Sequence, residues 1–463
     1  MSYYSILYYI GWMLAILAGA ALGPAAAAAY AGENAGAYLS ASAVAAFCGG
    51  ALIIAARGVL ARGYFRETLL LLIVAWPLIA IFAAIPLMLQ GLTAAEAFFD
   101  ALSALTTTGG WISDDIARAT RSGTLWRAQL QWFGGFLSIC AAVAVFARAD
   151  FVGVQMPRPP FARGDDGASL RAVRRAAGLF APLYISITLF CFAGLILTGV
   201  PAFDAACLAM STVATGGFAP AEGGVSSYGP AGMAVIFIFM LMGSASFVAF
   251  SRFASGGRRM AAERDKETGL FLLAVFGFAM FIWLASGDEA ALFQSFFEAA
   301  SFLSTSAFAA QGAQTPLVAA LVASVIGGAA VSTAGGFKII RWFVVFQRTG
   351  SEIWKLIHPK GVAITEGRGR AVLGVWIYFI TFTMALAALV LIIAGFGHGF
   401  DTASVVAVAA ISNAGPLIAL APDGGAYGDF STPLQLVLCG AMILGRLETA
   451  AALALVNIAF WRS

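Results

Sequence analysis

Thr106-Thr107-Thr108-Gly109-Gly110 is the stretch of this chain best suited to chemistry, and that chemistry is the dehydration of a monovalent cation. A Thr/Gly-rich strand offers a row of carbonyl oxygens with little side-chain bulk, able to stand in for an ion's hydration shell. A short, mostly apolar segment, Glu96 to Leu105, precedes it. That segment is too short to cross a bilayer, since a spanning helix needs roughly 20 residues. The pattern predicts a re-entrant helix that dips in and returns as an extended strand, ending in a polar turn over Trp111 to Asp115. Such backbone is tolerated at membrane depth only where it lines water or is buried in protein.

Three more stretches share the form. Gln294 to Ala307 aligns without gaps to Glu96 to Gly109. Phe203-Asp204-Ala205-Ala206 leads to Ser211-Thr212-Val213-Ala214-Thr215-Gly216-Gly217, and Phe400-Asp401-Thr402-Ala403 leads to Ser412-Asn413-Ala414-Gly415-Pro416. With Gly109, Gly216, Ala307 and Gly415 as equivalents, the steps are 107, 91 and 108 residues. Repetition of this kind sets the architecture.

The elements that must position these strands are apolar spans. Of 463 residues, 61% are hydrophobic and 11% charged, against about 25% charged in a soluble domain. The chain reads as an all-α polytopic membrane protein. Spans at 5–30 and 36–57 form an N-terminal pair (1–62) outside the repeat. Four units of span, re-entrant segment and span follow: 68–90 with 125–147, 178–199 with 229–251, 269–286 with 316–347, and 371–395 with 432–460. As domains these are 63–150, 170–260, 265–350 and 368–463. The first apolar segment lacks a basic leader and a cleavage site, so it reads as a retained helix. The five cysteines are scattered in apolar segments and read as small buried hydrophobes.

Basic residues cluster between units, as in Arg171, Arg174 and Arg175 or Arg258, Arg259, Arg264 and Lys266. The re-entrant side carries Asp114, Asp115, Glu222, Asp288, Glu289, Asp423 and Asp429. The positive-inside rule puts the inter-unit connections and both termini in the cytoplasm. Every unit has two full spans, so all four keep one orientation and can surround a single pore with pseudo-fourfold symmetry. Each re-entrant helix then points its carbonyl end at the centre, which favours a cation, and outer carboxylates raise its local concentration. Asp100 and Glu298 share one repeat position, with Asp204 and Asp401 in similar segments; these acids either serve the mouth in that way or anchor the short helices.

Residues 327–336, Gly-Gly-Ala-Ala-Val-Ser-Thr-Ala-Gly-Gly, interrupt the second span of unit three. Each glycine disfavours helix by roughly 1 kcal/mol, so the span either breaks here or packs closely through small residues. Ser332 and Thr333 could bond freed backbone groups. Arg446 lies about halfway along its span, at a depth where a charge faces a cavity or a partner; Glu448 is poorly placed to pair with it within the helix. Lys338 and Arg341 either take part in this region or mark the cytoplasmic end of a broken helix.

On these residues the chain resembles the TrkH/KtrB superfamily of bacterial potassium-transporting membrane subunits. Leu125-Trp126-Arg127-Ala128-Gln129-Leu130-Gln131-Trp132-Phe133-Gly134-Gly135 is similar to the segment after that family's first filter. Ser211 to Phe218, Ser332-Thr333-Ala334-Gly335-Gly336-Phe337-Lys338-Ile339-Ile340-Arg341, Gly445-Arg446-Leu447-Glu448 and Phe460-Trp461-Arg462 resemble its other segments. The two extra N-terminal spans favour the TrkH branch. The resemblance implies a potassium uptake protein of the bacterial inner membrane, with K+ as cargo, no organic cofactor and no nucleic-acid partner. It implies carbonyl ligands at Thr107, Thr108 and Gly109; Ala214, Thr215 and Gly216; Thr305, Ser306 and Ala307; and Asn413, Ala414 and Gly415. It implies a gate formed by Gly327, Gly328, Ser332, Thr333, Gly335, Gly336 and Lys338, with Arg446 beneath the filter. It implies a homodimer bound to a cytosolic nucleotide-binding regulator of the TrkA type. The chain itself carries no nucleotide-binding pattern, and its basic connections also suit membrane lipid. One position departs from the family: Ala307 stands where glycine is usual. Alanine costs roughly 1–2 kcal/mol in the left-handed region, so a different local conformation is expected there. A poorly selective K+/Na+ pore is therefore an alternative. Others are the ion-binding subunit of an ATP-driven K+ pump and, without any nucleophile or metal cluster to support it, a membrane enzyme.

Overall fold

The computed structural model describes residues 3–57, 65–112, 120–146, 170–221, 223–254, 266–287, 292–308, 315–358, 369–422 and 425–447. The regular elements there are helical. Helices α1 (Tyr3–Ala31) and α2 (Ala35–Ala55) form an N-terminal hairpin. They meet through small residues: a Cβ on Gly11 would lie 2.8 Å from the Gly49 carbonyl oxygen, and one on Gly49 equally close to that of Gly11. Unit one follows as α3 (Phe65–Met88), α4 (Ala94–Leu105) and α5 (Arg121–Phe146). Unit two is α6 (Leu170–Leu197), α7 (Ala202–Val213), α8 (Gly229–Ser244) and α9 (Phe247–Ala254). Unit three is α10 (Lys266–Ser286), α11 (Leu292–Leu303), α12 (Leu317–Ile326) and α13 (Ile339–Ile357). Unit four is α14 (Gly369–Gly395), α15 (Phe400–Ile411) and α16 (Thr432–Arg446).

Seven of the described helices, α1, α2, α3, α6, α8 (with the turn before it), α10 and α14, are long and apolar enough to cross a membrane. The chain is a multi-pass membrane protein. The short segments α4, α7, α11 and α15 are helices of 12 residues each. For α4 the start is chemically marked: Thr93 and Glu96 form a reciprocal capping box, with Thr93 N–H donating to Glu96 Oε2 at 2.9 Å.

Two spans are broken, the first of them against the sequence expectation. The 229–251 span is broken between Ser244 and Phe247. The 316–347 span is interrupted over 327–338, as its glycines suggested. The two breaks complete one another. Ala329 N donates to Ser244 O at 2.9 Å, Thr333 N to Gly243 O at 3.1 Å, and Phe247 N to Val331 O at 2.9 Å. Backbone groups freed at membrane depth need such partners. The 432–460 span is described only as far as Leu447, so Glu448 and the C-terminal Phe460-Trp461-Arg462 lie outside the described residues.

The hairpin docks on unit one through Glu33. Its carboxylate accepts from Arg121 N at 2.8 Å, from Ser122 N at 3.1 Å, and from the Ser122 hydroxyl. These are unsatisfied donors of the first turn of α5, where the helix dipole favours an anion. Gln90 Nε2 donates to Tyr38 Oη at 2.7 Å nearby.

Candidate functional site

Each 12-residue helix ends in the same way. The first residue past it caps the helix, the second takes positive φ, and the fourth turns the chain out. Thr107, Thr215, Thr305 and Asn413 hold φ of 51°, 52°, 61° and 54°. Gly109, Gly217 and Ala307 hold 74°, 73° and 51°. Ala307 therefore adopts the left-handed conformation of its counterparts, against the expectation that alanine would change the local path.

A serine in the last turn pins the first three strands. Gly110 N donates to Ser103 Oγ and Phe218 N to Ser211 Oγ, while Ser301 Oγ donates to Phe308 O, each at 2.8 Å. All three bonds reach seven residues ahead. Both the φ pattern and this clamp correct the register of unit two: Gly217, one residue beyond Gly216, corresponds to Gly109. The equivalent set is 109, 217, 307 and 415, and Ala214 falls in the capping row with Thr106, Ser304 and Ser412.

The four strands meet in cyclic order. A Cβ on Gly109 would lie 2.0 Å from Gly216 O; one on Gly217, 2.0 Å from Ser306 O; one on Gly415, 2.6 Å from Thr108 O. Gly415 N donates to Thr108 O at 2.6 Å, and Asn413 Nδ2 to Thr108 Oγ1 at 2.9 Å. Strand one thus abuts two and four, and strand two abuts three. Strands three and four are joined through Gly335, whose N–H donates to Thr305 Oγ1 at 2.7 Å and whose Cβ position is filled by Ser412 O, 1.9 Å away.

Several expected ligand carbonyls accept protein hydrogen bonds: Thr108 O from Gly415 N, Gly216 O from Gln131 Nε2 at 2.7 Å, and Gly415 O from Tyr427 Oη at 3.0 Å. A carbonyl has two lone pairs, so each can serve a further partner. Gln131 and Tyr427 hold strands two and four through these bonds, and the sequence alone assigned neither a role. Gln131 had a visible signal: a polar amide inside a span. Thr107 Oγ1, Gln131 Oε1, Ser412 Oγ and Asn413 Oδ1 are buried without a protein hydrogen-bond partner among the described residues. These oxygens suit a cation or water.

The spans approach the strand bases closely. Gly134, Gly243 and Gly445 each face the carbonyl of the last residue of a short helix, with Cβ positions 1.6 Å from Leu105 O, 2.7 Å from Val213 O and 2.2 Å from Ile411 O. Any side chain would push the second span of its unit away from the strand.

Residues 327–338 lie beneath the four strands. Thr333 Oγ1 donates to Val213 O at 3.0 Å and Gly243 O at 2.9 Å. Arg446, 8% exposed, donates through Nη1 to Thr333 O at 2.6 Å and through Nε to Thr106 O. The guanidinium thus sits against a helix C-terminal end, where the dipole favours a positive charge. Lys338 Nζ donates to Ala334 O. Arg341 is buried, stacked over Tyr378 at 4.0 Å and donating to Phe337 O, so it does not mark an exposed helix end. Ser138, Ala330, Ser332, Lys338, Gly445 and Arg446 are among the residues around a cavity of about 20 Å³, room for about one water. Gly327 ends α12 at φ 72°, and Gly328 and Gly336 complete the close turn around it.

The acids separate. Asp100 is fully buried and pairs with Arg127, and its Oδ1 accepts from Ile112 N at 3.0 Å. Arg127 lies 4.3 Å from the Trp111 ring centre, and Trp111 packs edge-on against Phe218. Asp100 is therefore an anchor. Glu298 is also buried, accepting from Thr315 Oγ1 and Gln294 Nε2. Asp204 accepts from Tyr228 Oη at 3.3 Å, while Asp401 is exposed in the first turn of α15. The acids at 114, 115, 222, 288, 289 and 423 lie outside the described residues. Asp100→Ala, which strands a buried guanidinium, is expected to lower stability by about 3–5 kcal/mol; thermal unfolding in detergent measures this, with Asp100→Asn falling between.

Known proteins resemble this chain in sequence and in fold. A family model described as TrkH, cation transport protein, matches residues 38–263. The chain is 32% identical over 413 residues to the Trk system potassium uptake protein TrkI of Halomonas elongata, covering 84% of this chain and 82% of that one. It is 28% identical over 488 residues to the Trk system potassium uptake protein TrkH of Vibrio parahaemolyticus, covering the whole of both. The crystal structure of the potassium transporter TrkH from Vibrio parahaemolyticus superposes over the full length of both chains with a TM-score of 0.87 at 26% identity.

Proposed function

The chain belongs to the TrkH family of cation transport proteins, and from that premise we propose that it is the channel-like, ion-translocating subunit of a potassium uptake system. Its relatives are transport proteins and not enzymes, and the chemistry its residues suit is replacement of water around an ion, with no bond made or broken. K+ is the cargo. The observation that carries this reading is the meeting of four strands: Gly109 abuts Gly216, Gly217 abuts Ser306 and Gly415 abuts Thr108, while Gly335 of the loop bridges Thr305 and Ser412 to complete the circuit.

In this reading the ligand carbonyls are those of Thr107, Thr108 and Gly109; Thr215, Gly216 and Gly217; Thr305, Ser306 and Ala307; and Asn413, Ala414 and Gly415. Ala214 O belongs to the level below. Residues 327–338 and Arg446 form the gate, closed in this conformation by the loop's hydrogen bonds to the strand bases. The four units, 63–150, 170–260, 265–350 and 368–463, enclose one pore, with residues 1–62 bracing the first. The protein sits in the bacterial inner membrane with both termini cytoplasmic, as a homodimer carrying a cytosolic regulator of the TrkA type on its basic inner face.

The test is cation selectivity of the purified protein in liposomes. Rb+ and K+ are expected to permeate and to compete; a failure of either to pass, with the protein folded, overturns the reading. Ala307 favours a second, less selective variant of this function, because its methyl occupies a position that is bare in the other three strands. Removing that strain, about 1–2 kcal/mol, should sharpen the preference for K+ over Na+ by about tenfold. Reversal potentials of Ala307→Gly measure it, and an unaltered value removes Ala307 from selectivity.

A further inference from the structure

The loop over 327–338 is held from two directions. Toward the strands it is bound by Thr333, Gly335 and Arg446. On another side Ala330 N–H donates to Glu267 Oε1 at 2.6 Å, and Phe247 N–H donates to Val331 O at 2.9 Å. Glu267 stands in the first turn of α10 and is 7% exposed. Phe247 opens α9. In sequence α9 and α10 are the elements on either side of the basic connection from unit two to unit three, so both flanks of that connection grip adjacent residues of the loop.

Glu267 suits this role chemically. A carboxylate at membrane depth needs strong donors. The first turn of a helix supplies a favourable dipole for one, and the second support comes from the loop backbone. Because the donor is the main-chain N–H of an alanine, the contact fixes the loop's path and not a side chain. Unit one carries a matching sequence, Arg66-Glu67-Thr68-Leu69-Leu70 against Lys266-Glu267-Thr268-Gly269-Leu270. Glu67 is likewise buried in the first turn of α3. The second span of that unit, α5, is an unbroken helix. The repeated acid therefore has an intramembrane loop to hold in unit three and none in unit one.

We propose that Glu267 is a positioning residue for the intramembrane loop: its carboxylate seats Ala330 beneath the strands, and loss of that bond unseats the loop. This rests on the reading of 327–338 as the gate.

The experiment uses the full chain in liposomes, with Rb+ flux, the Rb+/Na+ flux ratio, and amide hydrogen exchange read by mass spectrometry. Glu267→Ala is expected to raise basal Rb+ flux by roughly tenfold, the effect of losing one charged hydrogen bond, without changing the Rb+/Na+ ratio. Exchange should quicken in 327–336 and not in α4 or α7. Glu267→Gln, which keeps an acceptor oxygen, should stay close to wild type in both. Ala330→Pro, which deletes the donor, should repeat the Glu267→Ala result and decides the matter if that variant does not fold. Deletion of 328–334 separates the two ideas. If the deletion raises flux while Glu267→Ala and Ala330→Pro do not, the role of Glu267 is overturned alone. If none raises it, the gate falls as well. Quickened exchange spread through α4 and α7 would mark Glu267 as a general fold residue and overturn the proposal.

Discussion

Gly109→Val is expected to abolish Rb+ flux while leaving a folded, monodisperse protein. Gly109 holds φ at 74°, where a residue with a side chain is penalised by about 1–2 kcal/mol, already about a tenfold effect. Steric contact adds a greater penalty. The new Cβ would lie 2.0 Å from Gly216 O, and the obstacle is backbone of the neighbouring strand, which has no rotamer by which to yield. Strands one and two must therefore part, and the carbonyls lose their common level. Gly217→Val should behave identically, since its Cβ would meet Ser306 O at the same 2.0 Å. Gly91 provides the control: its φ is 111°, yet nothing lies within 4 Å of its Cβ position. Gly91→Ala should be strained but conductive. Normal Rb+ flux through folded Gly109→Val would count decisively against four converging strands.

Arg446→Ala is expected to raise basal flux about tenfold or more in liposomes without a partner. The side chain donates to Thr106 O, at the base of strand one, and to Thr333 O, in the loop. Hydrogen bonds from a charged group contribute about 1.5–3 kcal/mol each, so their loss weakens the seating of the loop substantially. It also removes a fixed positive charge from the place where a helix end favours a cation. Arg446→Lys keeps the charge on a single ammonium and loses the fork that spans two carbonyls, so it should fall between. Deleting 328–334 should exceed both. If neither Arg446→Ala nor the deletion increases leak, the loop is a packing element.

Much of the repeat is legible in the sequence because its parts are local. A short apolar run, a serine two residues before its end and a Ser/Thr/Gly stretch after it recur at Ser103, Ser211 and Ser301. Unit two misleads by one residue because Thr215-Gly216-Gly217 offers two glycines, and composition alone does not choose between them. The choice is made by a positive φ and by the Phe218 N–H to Ser211 Oγ bond. The break after Ser244 is hidden for a different reason. Gly243-Ser244-Ala245-Ser246 reads as an ordinary run of small residues, and what stabilises the break lies far along the chain at Ala329, Val331 and Thr333. Glu267 reads as one more charge at a membrane boundary, since its partner is a backbone N–H that carries no residue-type signal. Arg446 is visible because a guanidinium in mid-span is costly; which carbonyls receive it is not.

The seams between strands are unlike one another: glycine against carbonyl in three places, with Gly335 of the loop bridging the remaining side, where strand three carries Ala307 in place of glycine. A ring assembled from identical subunits changes on every side at once when one codon changes. Here a single substitution alters a quarter of the circumference and leaves the rest intact. In the proposed pore, discrimination between ions can accordingly be adjusted in small, separate increments, one wall at a time.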